Sequence, residues 1–173
     1  PLFRSSAASD VYKRQSLSNI SILEFINKKG CGFDVVSGGE LKRVLHVGAD
    51  PKKIIFSGVG KSYDEILLGI QNNILSFNIE SEAEVYRIEE IASSKNKVVD
   101  IAIRFNPEVD SGGHEYIKTG RKGDKFGISS DDSVLKIANH IYQSKNLNLV
   151  GSSMSYRISD IRFRKLPTYS SKH

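Results

Sequence analysis

The stretch SFNIESEAEVYRIEEIASSKNKVVDIAIRFN, residues 76–106, contains two apolar β-type runs on either side of one helical pattern. Ser81 stands three residues before Glu84, which is the spacing of a capping box at the start of a helix. Strands rich in Val and Ile that alternate with helices of this length are typical of βα units and a parallel sheet. Residues 76–106 therefore predict an α/β protein.

The same alternation continues on both sides of this stretch. Further strand-like runs begin near residues 33, 53 and 147, and Ser62 with Glu65 gives a second capping-box spacing before another helical pattern. The first strands begin 20 to 23 residues apart, which suits a (β/α)8 TIM-type barrel with parallel strands better than a doubly wound sheet. Because a complete barrel needs about 250 residues, we expect an incomplete barrel whose five visible strands lie side by side in chain order.

The positive charge is concentrated at the two ends of the chain. The formal net charge is +5, but residues 16–151 contain 17 Lys and Arg against 18 Asp and Glu. This balance leaves no basic stripe and argues against a nucleic-acid partner. No apolar run approaches the roughly 20 residues of a membrane-crossing helix, so we expect no membrane partner. The single Cys31 excludes an internal disulfide and fits a cytoplasmic protein.

Four motifs carry a resemblance to a known family. In chain order they are FDVVSGGEL (33–41), KIIFSGVGK (53–61), FNIESEAE (77–84) and HEYIKTGRKGDKFGI (114–128). Together they resemble the diaminopimelate decarboxylases, pyridoxal-phosphate enzymes with an alanine-racemase-like barrel. The resemblance implies the cofactor pyridoxal 5'-phosphate, a small amino-acid substrate, and decarboxylation of meso-2,6-diaminopimelate to L-lysine. It also implies that the intact enzyme is a homodimer.

The resemblance covers about residues 16–151 and does not extend to the ends. Residues 1–15 show no hydrophobic period, and residues 152–173 stand where the family would continue into a histidine-containing turn. We therefore expect a partial pyridoxal-phosphate-binding barrel domain at 16–151 between two non-native-looking ends, 1–15 and 152–173. Native disordered termini are the alternative. The chain is interpreted as a fragment of a barrel enzyme.

The family's Schiff-base lysine is missing from its expected position. Aligning Asn19 with the family asparagine places Gln15 where the lysine would bind the cofactor aldehyde. On a strand, Lys13 would face the same way, but about 7 Å from position 15. The ring-stacking histidine, the phosphate loop, the pyridinium-pairing glutamate and the second domain would lie beyond Gly151. We therefore expect the fragment to be inactive, with no catalytic residue retained.

Three residues are candidate cofactor-binding groups: Asp34, Arg104 and Lys125. The resemblance implies that Asp34 faces the Schiff-base lysine region, where an ionised carboxylate would orient an amine. It implies that Arg104 points into the barrel near the cofactor ring, and that Lys125 lies near the phenolic oxygen or the subunit boundary. The alternatives are a helix cap or loop bond for Asp34, an outer-face salt bridge for Arg104, and a solvated loop position for Lys125.

Glu40 and His114 are further site candidates. Glu40 ends the sequence SGGE (37–40), which is interpreted as a tight strand-to-helix turn, and a helix cap or a loop bond is the alternative to a site role. No second His, Cys or carboxylate stands at ligand spacing from His114, so no metal site is predicted. The sequence SGVGK (57–61) lacks the spacing of a P-loop, and the resemblance implies that it is a turn at a strand end.

Two alternative functions stay open. Another pyridoxal-phosphate decarboxylase of the same fold, acting on arginine, ornithine or carboxynorspermidine, would be distinguished by its second domain. A non-catalytic pyridoxal-phosphate-binding barrel protein would lack a substrate domain. Its strands are not expected to carry the motif of residues 114–128, which counts against this alternative.

Overall fold

The computed structural model describes residues 11–13, 19–105, 127–128 and 131–154. These residues form one sheet of parallel strands, with a helix between consecutive strands. The strands are β1 (Val11–Lys13), β2 (Gly32–Val35), β3 (Ile54–Phe56), β4 (Ser76–Ile79), β5 (Val99–Phe105) and β6 (Leu147–Met154). The helices are α1 (Ile20–Lys28), α2 (Gly38–His46), α3 (Tyr63–Gln71), α4 (Glu82–Ser94) and α5 (Asp131–Gln143).

The order of the strands in the sheet is the order of the strands in the chain. Each strand pairs in parallel with the next one, from β1 to β6. A parallel pair cannot be closed by a tight hairpin, so each pair requires a crossover of the kind that α1 to α5 supply. The predicted partial parallel βα barrel, with its five strands in chain order, is confirmed.

The first strand was not predicted. β1 lies within residues 1–15, which were interpreted as lying outside the barrel, and its three residues pair in register with β2. At the other end, β6 continues past the predicted boundary at residue 151 to Met154. Residues 1–10, 14–18 and 155–173 lie outside the described part of the chain, so the interpretation of the two ends as foreign sequence stays a prediction.

One face of the sheet packs against the helices and forms the core. Val35, Phe56, Phe77 and Ile101 are paired in register across β2 to β5 and are at most 1% exposed. Gly69 lets α3 approach this face closely, because a Cβ at that position would lie 2.6 Å from Phe77 Cζ. Burial of each large apolar side chain stabilises the fold by about 1.5–3 kcal/mol.

The opposite face of the same strands is polar, and we call it the inner face. Because side chains alternate along a strand, it carries the residues between the core positions. These include Asp34 on β2, Asn78 on β4, and Ala102 and Arg104 on β5. The inner face therefore presents charged side chains close to the carboxyl ends of the strands.

Serine residues cap the helices that follow β2, β3 and β4. Ser62 and Glu65 form the predicted capping box at the start of α3. The predicted box at α4 is only half formed: Ser81 accepts a hydrogen bond from the Glu84 backbone, but the Glu84 carboxylate does not return to Ser81. It binds the backbone of Glu80 and the side chain of Lys61, because a buried ammonium group needs a counter-charge.

The helices were also compared with the dimensions of a bilayer. In the part of the chain that the structure describes, no helix is both long enough and apolar enough to cross a membrane.

Candidate active site at the carboxyl ends of the strands

Polar groups of the inner face lie close to the carboxyl ends of β2, β4 and β5. Asp34 is the third of four residues in β2, Arg104 is the last but one in β5, and Glu80 directly follows β4. In parallel βα barrels this end of the strands builds the site, because the βα turns converge there. Asp34 and Arg104 lie at the same end of one face because the strands run in the same direction.

Arg104 forms an ion pair with Glu80. Its Nη1 atom lies 2.8 Å from Glu80 Oε1, and the two side chains are 23% and 1% exposed. The neighbouring Ile103 is buried on the helix-covered face, so Arg104 extends from the inner face and the outer-face alternative does not apply. Glu80 was not predicted from the sequence. It directly follows β4, and the predicted residues Asp34 and Arg104 also lie close to the ends of their strands.

Two carboxylate oxygens at this end are buried without a hydrogen bond. Asp34 Oδ1 and Glu80 Oε2 have no hydrogen-bond partner among the described residues. An unsatisfied buried polar atom costs about 1–3 kcal/mol, so each oxygen would be stabilised by a donor. An amine or a ring N–H of a ligand has this chemistry. The arrangement therefore fits a nitrogen-containing cofactor, and it also rules out a helix-capping role for the Oδ1 atom of Asp34 in this part of the chain.

Asn78 extends the polar inner face between Asp34 and Arg104. Its Nδ2 atom donates to Ser57 Oγ at 2.8 Å, and Ser57 is the residue directly after β3. The Ser57 backbone in turn donates to the Val35 carbonyl at 2.7 Å. These bonds link the ends of β2, β3 and β4, which limits the movement of the groups that flank the site.

Lys61 is the most deeply buried cation of the described residues, at 2% exposed. Its Nζ atom donates to the carbonyls of Gly58 and Asn78, both at 2.7 Å, and lies 3.3 Å from Glu84 Oε2. Burial lowers the pKa of Lys61, and the charge of Glu84 acts in the opposite direction. A neutral buried lysine could in principle attack an aldehyde, but these contacts enclose the amine. We therefore exclude Lys61 as a substitute for the missing lysine.

The SGVGK sequence is confirmed as a turn at a strand end. Gly58 and Gly60 have φ angles of +95° and +71°, a region that glycine enters without steric cost. A Cβ at Gly58 would also lie 3.2 Å from Val36 Cβ. The ion pair of Lys61 with Glu84 was missed, because nothing local in the sequence indicates which acid 23 residues away the lysine meets.

Glu40 bonds the turn that precedes its own helix. Its Oε2 atom accepts from the Val36 backbone at 2.9 Å, and its backbone donates at 3.3 Å to Oγ of Ser37, which caps α2. This is the loop-bonding alternative, and the tight strand-to-helix turn is confirmed, since β2 ends at Val35 and α2 begins at Gly38. A site role for Glu40 stays a prediction. His114 and Lys125 lie outside the described residues, so their predicted roles also stay predictions.

In the ranges given above, no group of three or more His, Cys, Asp or Glu side chains is close enough together to hold a metal ion.

Comparisons with known proteins agree with this geometry. The family model described as pyridoxal-dependent decarboxylase, pyridoxal binding domain, matches residues 5–156. The chain is 44% identical over 140 residues to the diaminopimelate decarboxylase of Neisseria meningitidis serogroup A, which is 81% of this chain and 34% of that protein. It thus spans about a third of the length of such relatives.

Solved structures show the same similarity. The crystal structure of diaminopimelate decarboxylase from Helicobacter pylori complexed with L-lysine has a TM-score of 0.78 at 39% identity, covering 83% of this chain and 36% of that chain. The arginine decarboxylase of Paramecium bursaria Chlorella virus has a TM-score of 0.68 at 19% identity, covering 84% and 36%, and it shows the fold alone. The chain therefore belongs to the family of the pyridoxal-dependent decarboxylases, within the domain that binds pyridoxal.

Proposed function

We propose that the protein to which this chain belongs is a diaminopimelate decarboxylase, which converts meso-2,6-diaminopimelate to L-lysine and carbon dioxide. The observation that carries the proposal is the 44% identity over 140 residues to an enzyme of that activity. The identity to the structurally similar viral arginine decarboxylase is 19%. This difference favours diaminopimelate over arginine as the substrate.

In this proposal the inner face supplies part of the site for pyridoxal 5'-phosphate. When bound, the cofactor delocalises the electron pair that loss of the carboxylate leaves on the substrate. Arg104 would lie against the pyridine ring, and its pairing with Glu80 would keep the guanidinium in place. The Oδ1 atom of Asp34, which has no hydrogen-bond partner among the described residues, would accept a hydrogen bond from an amine. Lys125, Glu40 and His114 are proposed to complete this side of the site.

We also propose that the protein is a homodimer and that it is cytoplasmic. A homodimer would place Lys125 at or near a subunit boundary, as in the family that the sequence resembles. A cytoplasmic location fits the single free Cys31 and the amino-acid substrate.

The proposal is tested with the intact reading frame that contains this chain. The purified protein is given pyridoxal 5'-phosphate, and release of carbon dioxide is measured separately from meso-diaminopimelate, arginine and ornithine. We expect turnover of diaminopimelate with formation of L-lysine, and little or none of the other two substrates. Turnover of arginine or ornithine in place of diaminopimelate would contradict the proposed substrate but not the family.

A further inference from the structure

Glu84 connects two βα turns through one buried carboxylate. Its Oε2 atom accepts from the Glu80 backbone at 2.9 Å, in the turn between β4 and α4. Its Oε1 atom accepts from the Lys61 backbone at 3.3 Å, in the turn between β3 and α3. Lys61 Nζ closes the arrangement through its ion pair with the same carboxylate. Glu84 is 3% exposed, so these contacts are shielded from water.

The same buried group reaches Arg104 through one intermediate residue. Glu80 is held by its backbone to Glu84, and its side chain binds Arg104 Nη1 at 2.8 Å. Lys61 Nζ additionally binds the Asn78 carbonyl at 2.7 Å, two residues before Glu80. The backbone that leads to Glu80 is therefore held from two sides, which restricts where its carboxylate can lie.

The neighbouring helix provides a comparison. Glu65 occupies the same third position of α3 that Glu84 occupies in α4, and it also connects two turns, since its Oε1 atom accepts from the Gly38 backbone at 2.7 Å. Its other bonds go to Ser62. Among the described residues, only the Glu84 connection includes a buried lysine and leads to Arg104.

We propose that Glu80 is a positioning residue for Arg104, and that the buried pair of Lys61 and Glu84 holds Glu80 in the orientation that this requires. Fixing an arginine side chain costs rotamer entropy, and the ion pair with Glu80 offsets part of this cost. The inference rests on the proposed function, in which Arg104 lies against the cofactor ring. It adds Glu80 in the β4–α4 turn, Glu84 on α4 and Lys61 in the β3–α3 turn, which act on the position of Arg104.

The test observes the Arg104 guanidinium group by nuclear magnetic resonance in the complete 173-residue chain labelled with nitrogen-15. The signal is assigned by its disappearance in Arg104→Lys. In the unchanged chain we expect a slowly exchanging guanidinium signal that is displaced from that of free arginine. In Glu80→Gln we expect the signal to move toward the free-arginine position. An unmoved signal in Glu80→Gln would overturn the role of Glu80.

The second half of the proposal is tested with Lys61→Met/Glu84→Leu. This double variant replaces the ion pair by apolar groups of similar size, which is often tolerated for stability, yet it removes the acceptor for the Glu80 backbone. We expect a retained cooperative unfolding transition together with loss of the displaced Arg104 signal. If the double variant does not fold, Glu84→Gln is used, and we expect a broadened Arg104 signal in it. A sharp, unmoved signal in a folded variant would overturn the role of the pair.

The matched control is Glu65→Leu. It removes the equivalent connection to Gly38 without touching Glu80, so the Arg104 signal should stay in place. An equal loss in this control would overturn the proposal, since it would indicate general loosening of the turns. These variants decide the positioning role without the cofactor, with which the 173-residue chain is expected to form no stoichiometric adduct. The proposed function is decided separately, by the turnover assay of the intact protein.

Discussion

Lys61 and Glu84 form a buried ion pair, with Nζ 3.3 Å from Oε2 and the two side chains 1% and 4% exposed. The pair joins the turn after β3 to the first turn of α4. It lies at the carboxyl ends of the strands, the same end of the sheet as Asp34 and Arg104. A buried charge depends on its partner much more strongly than an exposed charge does.

The first prediction is that Lys61→Met destabilises the fold by about 3–5 kcal/mol, because Glu84 is left as an uncompensated buried charge. Lys61→Met/Glu84→Leu should recover part of this loss, since both charges are then removed although the backbone N–H groups of Lys61 and Glu80 lose their acceptor. The free energies of unfolding are measured by urea denaturation of the single and double variants. Strictly additive losses would show that the two residues are not coupled.

The second prediction concerns pH and the contact between α4 and α5. Burial alone would raise the pKa of Glu89, but hydrogen bonds from Ser144 and His140 outweigh it and lower the pKa below 4.5. A lowered carboxyl pKa contributes stability above the unfolded-state value, and this contribution is lost as the pH falls through the folded-state pKa. Thermal unfolding between pH 7 and pH 3 should therefore show a loss of stability below about pH 4.5 that Glu89→Gln makes smaller.

The neighbouring Glu90 provides the control for this prediction. It lies on the same helix and is exposed, so Glu90→Gln should leave the acid loss of stability as it is in the unchanged chain. The same acid profile in Glu89→Gln and in the unchanged chain would contradict the assignment to Glu89. The contact itself is short, with Glu89 Oε2 2.6 Å from His140 Nε2.

The third prediction is that Gly69→Ala destabilises the fold, although alanine favours helices over glycine by about 1 kcal/mol. The new Cβ would lie 2.6 Å from Phe77 Cζ in the core, and overpacking costs about 1–3 kcal/mol. The control is Gly39→Ala, because a Cβ there meets nothing closer than 4.0 Å. Thermal denaturation should show a lower Tm only for Gly69→Ala, and a higher Tm for it would refute the close approach of α3 to the sheet.

The fourth prediction concerns the expected Schiff-base position. The 173-residue chain, with Gln15 at that position, should form no stoichiometric adduct with pyridoxal 5'-phosphate that borohydride can trap, and no lysine from diaminopimelate. Gln15→Lys should increase the amount of trapped adduct, which peptide mass mapping would locate at residue 15. A stoichiometric adduct at Lys13 in the unchanged chain, together with turnover, would show that the first 15 residues were misinterpreted.

Much of the fold was predictable because its signals are local. Alternating strands and helices follow from runs of Val and Ile and from serine caps such as Ser62, whose hydrogen bonds involve residues three positions apart. The parallel order of the strands follows from the helices between them. The strand β1 was missed because three residues, VYK, carry too short a pattern to distinguish a strand from its surroundings.

The candidate site was predictable only in part. Asp34 and Arg104 adjoin strand ends, so their sequence positions and a parallel sheet were enough to bring them to one end of the inner face. Their proposed contacts with a cofactor rest on resemblance. For Glu40 the sequence left a site role and a capping or loop-bonding role open, and the structure provides the hydrogen bond of the loop-bonding role, from the Val36 backbone.

The sequence by itself determined which segments become strands and helices and in what order they join the sheet, because periodicity, caps and glycine turns act over a few residues. Only the tertiary structure decided that Glu80 binds Arg104, 24 residues away, and that Lys61 binds Glu84, 23 residues away. These partners meet because the register of β3, β4 and β5 aligns the turns at their carboxyl ends. Any of several acids near those turns could satisfy a lysine or an arginine, and the choice depends on distance and burial, which exist only once the strands are paired.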